Sequence, residues 1–293
     1  MFQYPHFDPI AFSIGPVLGL GPLAVRWYGI TYLCAFACSW LGMRLRTRQP
    51  WSKIKAEQVD DIVFYAALGV IIGGRLGYMI LPYGFAELRA DPLSIFTVWK
   101  GGMSFHGGLA GVLIAMWLYG RRIGQPFFVV TDAIAPWSAL GLGFGRIGNF
   151  INGELWGKVT SPDAPWAVMV NGEPRHASQL YEMFLEGFVL WAILFFYSRK
   201  QRPTMAVSGL FLLFYGLFRI LVEFVRVPDK QLGYIAFDWL TMGQILSIPM
   251  VIVGVILFVL ANRSKGDAAA DIGGRPSAKA DAGAASPRAV PKG

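Results

Sequence analysis

Between Gly145 and Gly157 the chain reads Gly-Arg-Ile-Gly-Asn-Phe-Ile-Asn-Gly-Glu-Leu-Trp-Gly, directly behind an apolar stretch of membrane length. Arg146, Asn149, Asn152 and Glu154 are costly at the rim of a bilayer unless a polar partner such as a lipid phosphate meets them there. The chemistry this suggests is that of a reactive head group at a membrane surface. Tyr215, Arg219 and Glu223 form a second set, spaced i, i+4 and i+8 and therefore on one helical stripe, with Arg226 extending it. His106 lies in Gly101-Gly102-Met103-Ser104-Phe105-His106-Gly107-Gly108. Its imidazole is the only side chain of the set whose ordinary pKa suits proton transfer near neutral pH. The flanking glycines predict irregular backbone against a cavity. Arg26, Tyr28 and Arg75 add further polar groups. Each residue alone has a plain structural reading: arginines snorkel, tyrosines belong to an interfacial belt, a lone histidine is a satisfied core group, and Arg219 with Glu223 is an i, i+4 pair. Five predicted helices deliver the whole set to one side, which points to a site in that half of a bundle.

The elements that must position these residues follow from composition. Of 293 residues, 55% are hydrophobic and 15% charged, and the mean hydropathy is +0.48. Apolar segments of about twenty residues recur without strict alternation, which predicts an all-α polytopic integral membrane protein and not a barrel. Seven spans are expected, near 23–43, 60–81, 101–119, 127–149, 179–198, 206–224 and 237–262. Arg44, Arg46, Arg48, Lys53, Lys55, Arg121, Arg122, Arg199, Lys200 and Arg202 all fall in loops on one side. That side is read as cytoplasmic, with the N-terminus outside and the C-terminus in the cytoplasm. The net charge of +8 is then topological, and no nucleic-acid partner is expected. No cleavable signal peptide is read at the N-terminus. Residues 1–262 form the expected membrane domain and 263–293 an expected disordered, basic cytoplasmic tail, since the latter offer no apolar periodicity. Glycines four apart (Gly69, Gly73, Gly77; Gly107, Gly111; Gly141, Gly145) predict close helix packing, with room left for a lipid head group to approach backbone. Cys34 and Cys38 are expected to be buried packing residues. His6, His106 and His176 match no metal-ligand spacing, so neither metal nor other cofactor is expected.

With these residues in place the chain resembles the bacterial prolipoprotein diacylglyceryl transferases. Gly145 to Gly157 fits that family's pattern Gly-Arg-x-Gly-Asn-Phe-x-Asn-x-Glu-x-x-Gly throughout, and the likeness extends to Arg26-Trp27-Tyr28-Gly29, Gly101–Gly108 and Phe218 to Asp229. The resemblance implies seven spans in the bacterial inner membrane with an active site toward the periplasm. It implies transfer of the diacylglyceryl group of phosphatidylglycerol to the lipobox cysteine thiol of a preprolipoprotein signal peptide, releasing glycerol phosphate. It also implies activity carried by the residues at Tyr28, His106, Arg146, Asn149, Gly157, Tyr215 and Arg219, with Asn152, Glu154, Glu223 and Arg226 around them. The nucleophile then belongs to the substrate, in keeping with the lack of a Ser or Cys constellation here. Arg146 and Arg219 suit a phosphate clamp. His106 is read either as general base or as a head-group ligand beside a thiol activated by the arginines. Rival classes fit less well. A transporter would show paired halves and a midplane site, a retinal receptor a lysine in the last span, and an intramembrane protease a Ser/His or metal-binding pair. A non-catalytic lipid-binding scaffold would bind lipid without forming product.

Overall fold

A computed structural model describes residues 2–16, 22–98, 101–228 and 233–273, with backbone alone at 83 and 264–273. The helices are α1 (Trp27–Thr47), α2 (Ala56–Met79), the short α3 (Pro82–Ala90), α4 (Phe105–Arg122) and α5 (Phe127–Ile151). A composite rod follows, made of α6 (Ser178–Glu182), a π-helical stretch (Met183–Val189) and α7 (Leu190–Tyr197), and then α8 (Ala206–Glu223) and α9 (Met242–Gly273). Five of these, α2, α5, the composite rod, α8 and the Met242–Arg263 part of α9, are long and apolar enough to cross a membrane, so the chain is a multi-pass membrane protein. Helices α1 and α4 fall where spans were expected, but basic pairs (Arg44 and Arg46; Arg121 and Arg122) dilute their last turns.

The all-α expectation holds for the bundle and fails at its rim. Leu23–Arg26, expected as the start of the first span, is strand β3, paired antiparallel with β2 (Ile10–Ile14). Pro22 and the apolar residues of Ile10–Ile14 and Leu23–Val25 favour extended backbone there, and the helix starts only at Trp27. A second small sheet joins β1 (Phe2–Gln3) in parallel to β4 (Val168–Val170), which pairs with β5 (Glu173–Arg175), and β6 (Tyr234–Ala236) pairs with β7 (Leu240–Thr241). At the other boundary α9 stays helical to Gly273, so the tail expected from 263 begins inside a helix. Ala268–Ala270 are the strongest helix formers in that segment. Residues 274–293, the rest of that tail, lie outside the described residues.

Helix ends explain several buried polar groups. Asp132 on α5 caps the start of α8, its carboxylate accepting from the N–H groups of Met205 (2.8 Å) and Ser208 (2.8 Å) and from the Ser208 hydroxyl (2.6 Å). Thr241 and Gln244 form a reciprocal capping box at α9, at 2.9 and 3.3 Å. Ser104 caps α4 by accepting from Gly107 N–H at 3.2 Å, so the irregular backbone expected over Gly101–Gly108 is confined to the part before Phe105.

Glycine seams set the helix pairs. A Cβ on Gly69 would lie 2.7 Å from the Gly111 carbonyl oxygen, and one on Gly77 would lie 2.6 Å from Gly107 Cα, so α2 and α4 meet backbone to backbone. Gly209, Gly216 and Gly254 do the same between α8 and α9. Cys34 is exposed and Cys38 half-exposed, contrary to the expectation of burial. The outer face of a membrane helix meets lipid, where a thiol is at home. Gly77→Leu is expected to force α2 from α4 and destabilise the fold by at least about 1–3 kcal/mol. A thermal unfolding midpoint in detergent equal to that of the unaltered protein would refute the seam.

Candidate active site

The segment from Asn149 to Glu154 is a helix terminus of defined geometry. Gly153 N–H bonds the Phe150 carbonyl (3.1 Å) and Glu154 N–H bonds that of Asn149 (3.1 Å), the paired closure of a Schellman motif ending α5. It requires a left-handed residue after the C-cap, and Gly153 supplies it with φ of +69°. The reversal returns Glu154 over the helix end, where its Oε1 accepts from Asn149 Nδ2 at 2.8 Å and Asn152 Nδ2 at 3.5 Å. The Tyr4 hydroxyl bonds the Phe150 and Ile151 carbonyls, both at 2.9 Å, tying the N-terminal strand segment to the same terminus.

The other glycines of the segment divide into two kinds. A Cβ at Gly148 would stand 2.7 Å from Thr31 Oγ1 and 2.8 Å from the Tyr28 ring, so this glycine seats Tyr28 of α1 beside Asn149. A Cβ at Gly157 would stand 2.6 Å from the Val225 carbonyl oxygen and 2.8 Å from His176 Cβ. Gly157 thus docks its loop on the end of α8 and sets the backbone of Arg226 through an antiparallel bridge. Gly145 differs, since a Cβ there would meet nothing within 4 Å. Packing of neighbouring helices therefore does not account for this glycine, contrary to the expectation for the Gly141 and Gly145 pair.

The charges converge on Glu182, a residue with no exposed surface. Its Oε2 lies 2.6 Å from Arg146 Nε and 3.4 Å from Arg219 Nη1, and its Oε1 lies 2.5 Å from Arg226 Nη1. Arg219 also reaches Glu223 at 2.9 Å and, at the limit of contact, Glu186 at 4.0 Å, while Arg226 Nε is 3.3 Å from Glu223. Three guanidinium groups face three carboxylates, and the paired charges offset a burial that none could sustain alone. Backbone contact between α5 and the π-helical stretch makes this reach possible: a Cβ on Gly187 would lie 2.7 Å from Gly143 Cα. Glu223 sits over Gly243 in the first turn of α9, where the helix dipole favours an anion. Arg146 Nη1 donates to Asn149 Oδ1 at 3.3 Å, joining the arginine cluster to the Asn149–Glu154 pair and so to Tyr28. Tyr215 lies one turn before Arg219 on the same face of α8, partly buried and within the field of Glu186, Arg219, Arg146 and Glu182.

The model of the prolipoprotein diacylglyceryl transferase family matches residues 15–260. The chain belongs to this family. A phosphatidylglycerol–prolipoprotein diacylglyceryl transferase of Pseudomonas aeruginosa is 54% identical over 269 residues, covering 90% of this chain and 97% of the relative. Proteins of the same name from Methylococcus capsulatus (54% over 265 residues, 89% and 98% covered) and Coxiella burnetii (52% over 268 residues, 90% and 99% covered) are similarly close.

Of the residues that sequence had singled out in this family member, Tyr28, Arg146, Asn149, Asn152, Glu154, Tyr215, Arg219, Glu223 and Arg226 come together, with Gly157 as a backbone anchor. His106 stands apart from their hydrogen bonds. It is exposed on the first turn of α4, its ring 5.6 Å from that of Phe105, with no hydrogen-bond partner among the described residues. Arg75, also grouped with the set, is a structural clamp. It is 3% exposed and donates to the carbonyls of Ser94 (2.5 Å), Gly101 (2.7 Å), Gly102 (3.0 Å) and Ile95 (3.3 Å), besides pairing with Glu87 at 3.1 Å. Arg26 is exposed at the end of β3. Glu182 and Glu186 were missed, although two acids inside an apolar span are the signal that had marked Arg219 and Glu223. Glu182→Gln is expected to leave three guanidinium groups short of one countercharge and to cost about 3–5 kcal/mol of stability. Calorimetry of the purified variant would show this as a lowered unfolding midpoint, and an unchanged midpoint would remove Glu182 from the centre of the cluster.

Proposed function

We infer that this chain transfers the diacylglyceryl group of phosphatidylglycerol to the lipobox cysteine of a preprolipoprotein signal peptide. The carrying observation is a family match through residues 15–260 together with the assembly of the Gly145–Gly157 signature and the α8 stripe into one polar cluster. The chain then crosses the bacterial inner membrane seven times, with α1 and α4 completing the spans, the N-terminus outside and the C-terminus inside. Support for that orientation comes from the basic residues of the 44–59, 120–126 and 199–205 segments, which lie at the helix ends opposite the cluster. The cluster accordingly faces the periplasm.

The thiolate sulfur of the substrate attacks the glycerol carbon that bears the phosphate. The carbon–sulfur bond forms as the carbon–oxygen bond breaks, and the electron pair leaves on the phosphate oxygen as glycerol phosphate. Arg146 and Arg219 stabilise the charge that grows on that oxygen. Both enter the reaction already held by Glu182 and Glu223, so their guanidinium planes need not be ordered when the lipid arrives. The open space beside Gly145 lets a head group approach the α5 backbone next to Arg146. Tyr28, Tyr215, Asn149 and Asn152 orient the glycerol and phosphate, with Glu154 and Arg226 fixing the asparagines and the carboxylates. His106 takes the thiol proton. Its ring, which makes no hydrogen bond among the described residues, leaves both nitrogens to the substrate.

A lipobox peptide incubated with the purified protein and phosphatidylglycerol is expected to gain a diacylglyceryl adduct by mass spectrometry, and a Cys→Ser peptide to gain none. Lipid binding without any adduct would instead identify a lipid-binding scaffold. In the same assay His106→Gln should lose roughly 10²–10⁴-fold in rate while still binding the lipid. Near-normal turnover would sink the base assignment and leave the head-group reading. Arg146→Lys should lose about 10²–10³-fold, because a point charge does not replace a fork, and unaltered kinetics would end the clamp.

A further inference from the structure

At the end of the bundle opposite the glutamate–arginine cluster lies a cavity of about 520 Å³, walled by the C-terminal turn of α1, the loop after it, the first turns of α5 and the loop from α7 to α8. Four cations line it: Arg46, Lys53, Lys200 and Arg202. Their protein partners are all neutral. Arg46 Nη1 bonds Ser198 Oγ at 2.8 Å, Lys53 Nζ bonds Thr204 Oγ1 at 3.3 Å, and Arg202 Nε bonds the Tyr197 carbonyl at 2.7 Å with its guanidinium 4.1 Å over that ring. None of the four has a carboxylate within ion-pairing distance among the described residues, whereas every arginine of the opposite cluster has one. The single acid in the wall, Asp132, already accepts three hydrogen bonds as the cap of α8. The same wall holds the indole N–H of Trp51, without a hydrogen-bond partner among the described residues.

Orientation in the membrane accounts for basic residues on this side of the bilayer but not for their convergence on one concavity. Four donors of positive charge around a space of this size, against one acid in the wall, Asp132, whose field reaches Arg46, suit a phosphate monoester or diester. On the orientation proposed above, the cavity lies at the helix ends that carry the basic loops, so the nearest such group is a lipid head group. We propose that this cavity binds the phosphate of an anionic lipid from the leaflet facing the basic loops, distinct from the lipid consumed at the other end. The bound phosphate would bridge α1, its following loop and the α7–α8 loop, and so fix the start of α8, the helix that carries Arg219 and Glu223.

The full-length protein in neutral detergent is titrated with short-chain phosphatidylserine, short-chain phosphatidylcholine and inorganic phosphate, and binding is read from the unfolding midpoint and by native mass spectrometry. Phosphatidylserine is expected to bind and stabilise, and phosphatidylcholine not to. Lys200→Gln, at an exposed residue with no partner among the described residues, should weaken that binding roughly fivefold, and Arg46→Gln, Lys200→Gln and Arg202→Gln together about a hundredfold. Because other sites contribute equally to both proteins, the difference between variant and parent isolates the cavity. Diacylglyceryl transfer by Lys200→Gln, followed in parallel, should match that of the parent with saturating lipid. Stabilisation by inorganic phosphate that the variants lose, with phosphatidylserine unaffected, would overturn the lipid as the source. Equal affinity of parent and both variants for every probe would overturn the site.

Discussion

Much of this molecule depends on the burial of one carboxylate. Glu182 has no contact with solvent, yet three guanidinium groups end on it, one from α5, one from α8 and one from the bridge residue that follows α8. An ion in that position is tolerable only if its partners arrive in the same place. Helix α5 must therefore approach the π-helical stretch at Gly143 and Gly187, α8 must present Arg219 on its inward stripe, and Gly157 must pin the chain so that Arg226 turns back. The polar cluster is in this sense a packing constraint as much as a chemical device. Its members fix the relative rotation of three helices that apolar contact alone would leave free to slide, since lipid and leucine are equivalent neighbours in a membrane.

The same arrangement explains why the arginines are so well prepared for a charged ligand. Each guanidinium has some of its N–H groups committed to a carboxylate and the remainder open, so its plane is set before any substrate is present. The carboxylates cost something in return, because they share the positive charge that a phosphate would otherwise meet undiluted. Glu186 illustrates the balance. It is nearly fully buried, its Oε1 has no hydrogen-bond partner, and its nearest cation lies 4.0 Å away. The local field retains it without a directional contact.

The sequence made the large elements and the chemistry of two segments readable, and the physical reasons for success and failure are specific. Apolar length located the five helices long enough to cross a membrane, and the i, i+4, i+8 rhythm placed Tyr215, Arg219 and Glu223 on one face because a helix repeats every 3.6 residues. Glu182 and Glu186 escaped notice because the apolar residues around them dominate the window in which a span is recognised, although their charges outweigh that average once buried. The strands were invisible for a different reason. With two to five residues each, they are too short to show alternation, and their pairing is set by the helix ends they join. Gly148 and Gly145 look identical in a motif, yet one is occupied by Tyr28 and the other faces open space, a distinction that only the neighbouring helix supplies.

Arg75 has a consequence for the order in which the protein is made. The groups that satisfy its side chain, the Glu87 carboxylate and four carbonyls, follow it by 12 to 27 residues in the chain. When α2 first leaves the ribosome and meets the lipid, its guanidinium has nothing to bind. The helix gains its full preference for the membrane only after Glu87 and the carbonyls of Ser94, Ile95, Gly101 and Gly102 have been synthesised and brought to it. Insertion of α2 is therefore a joint act with the stretch that follows it, and α4, which begins directly after that stretch, enters a membrane in which its partner helix has just been settled.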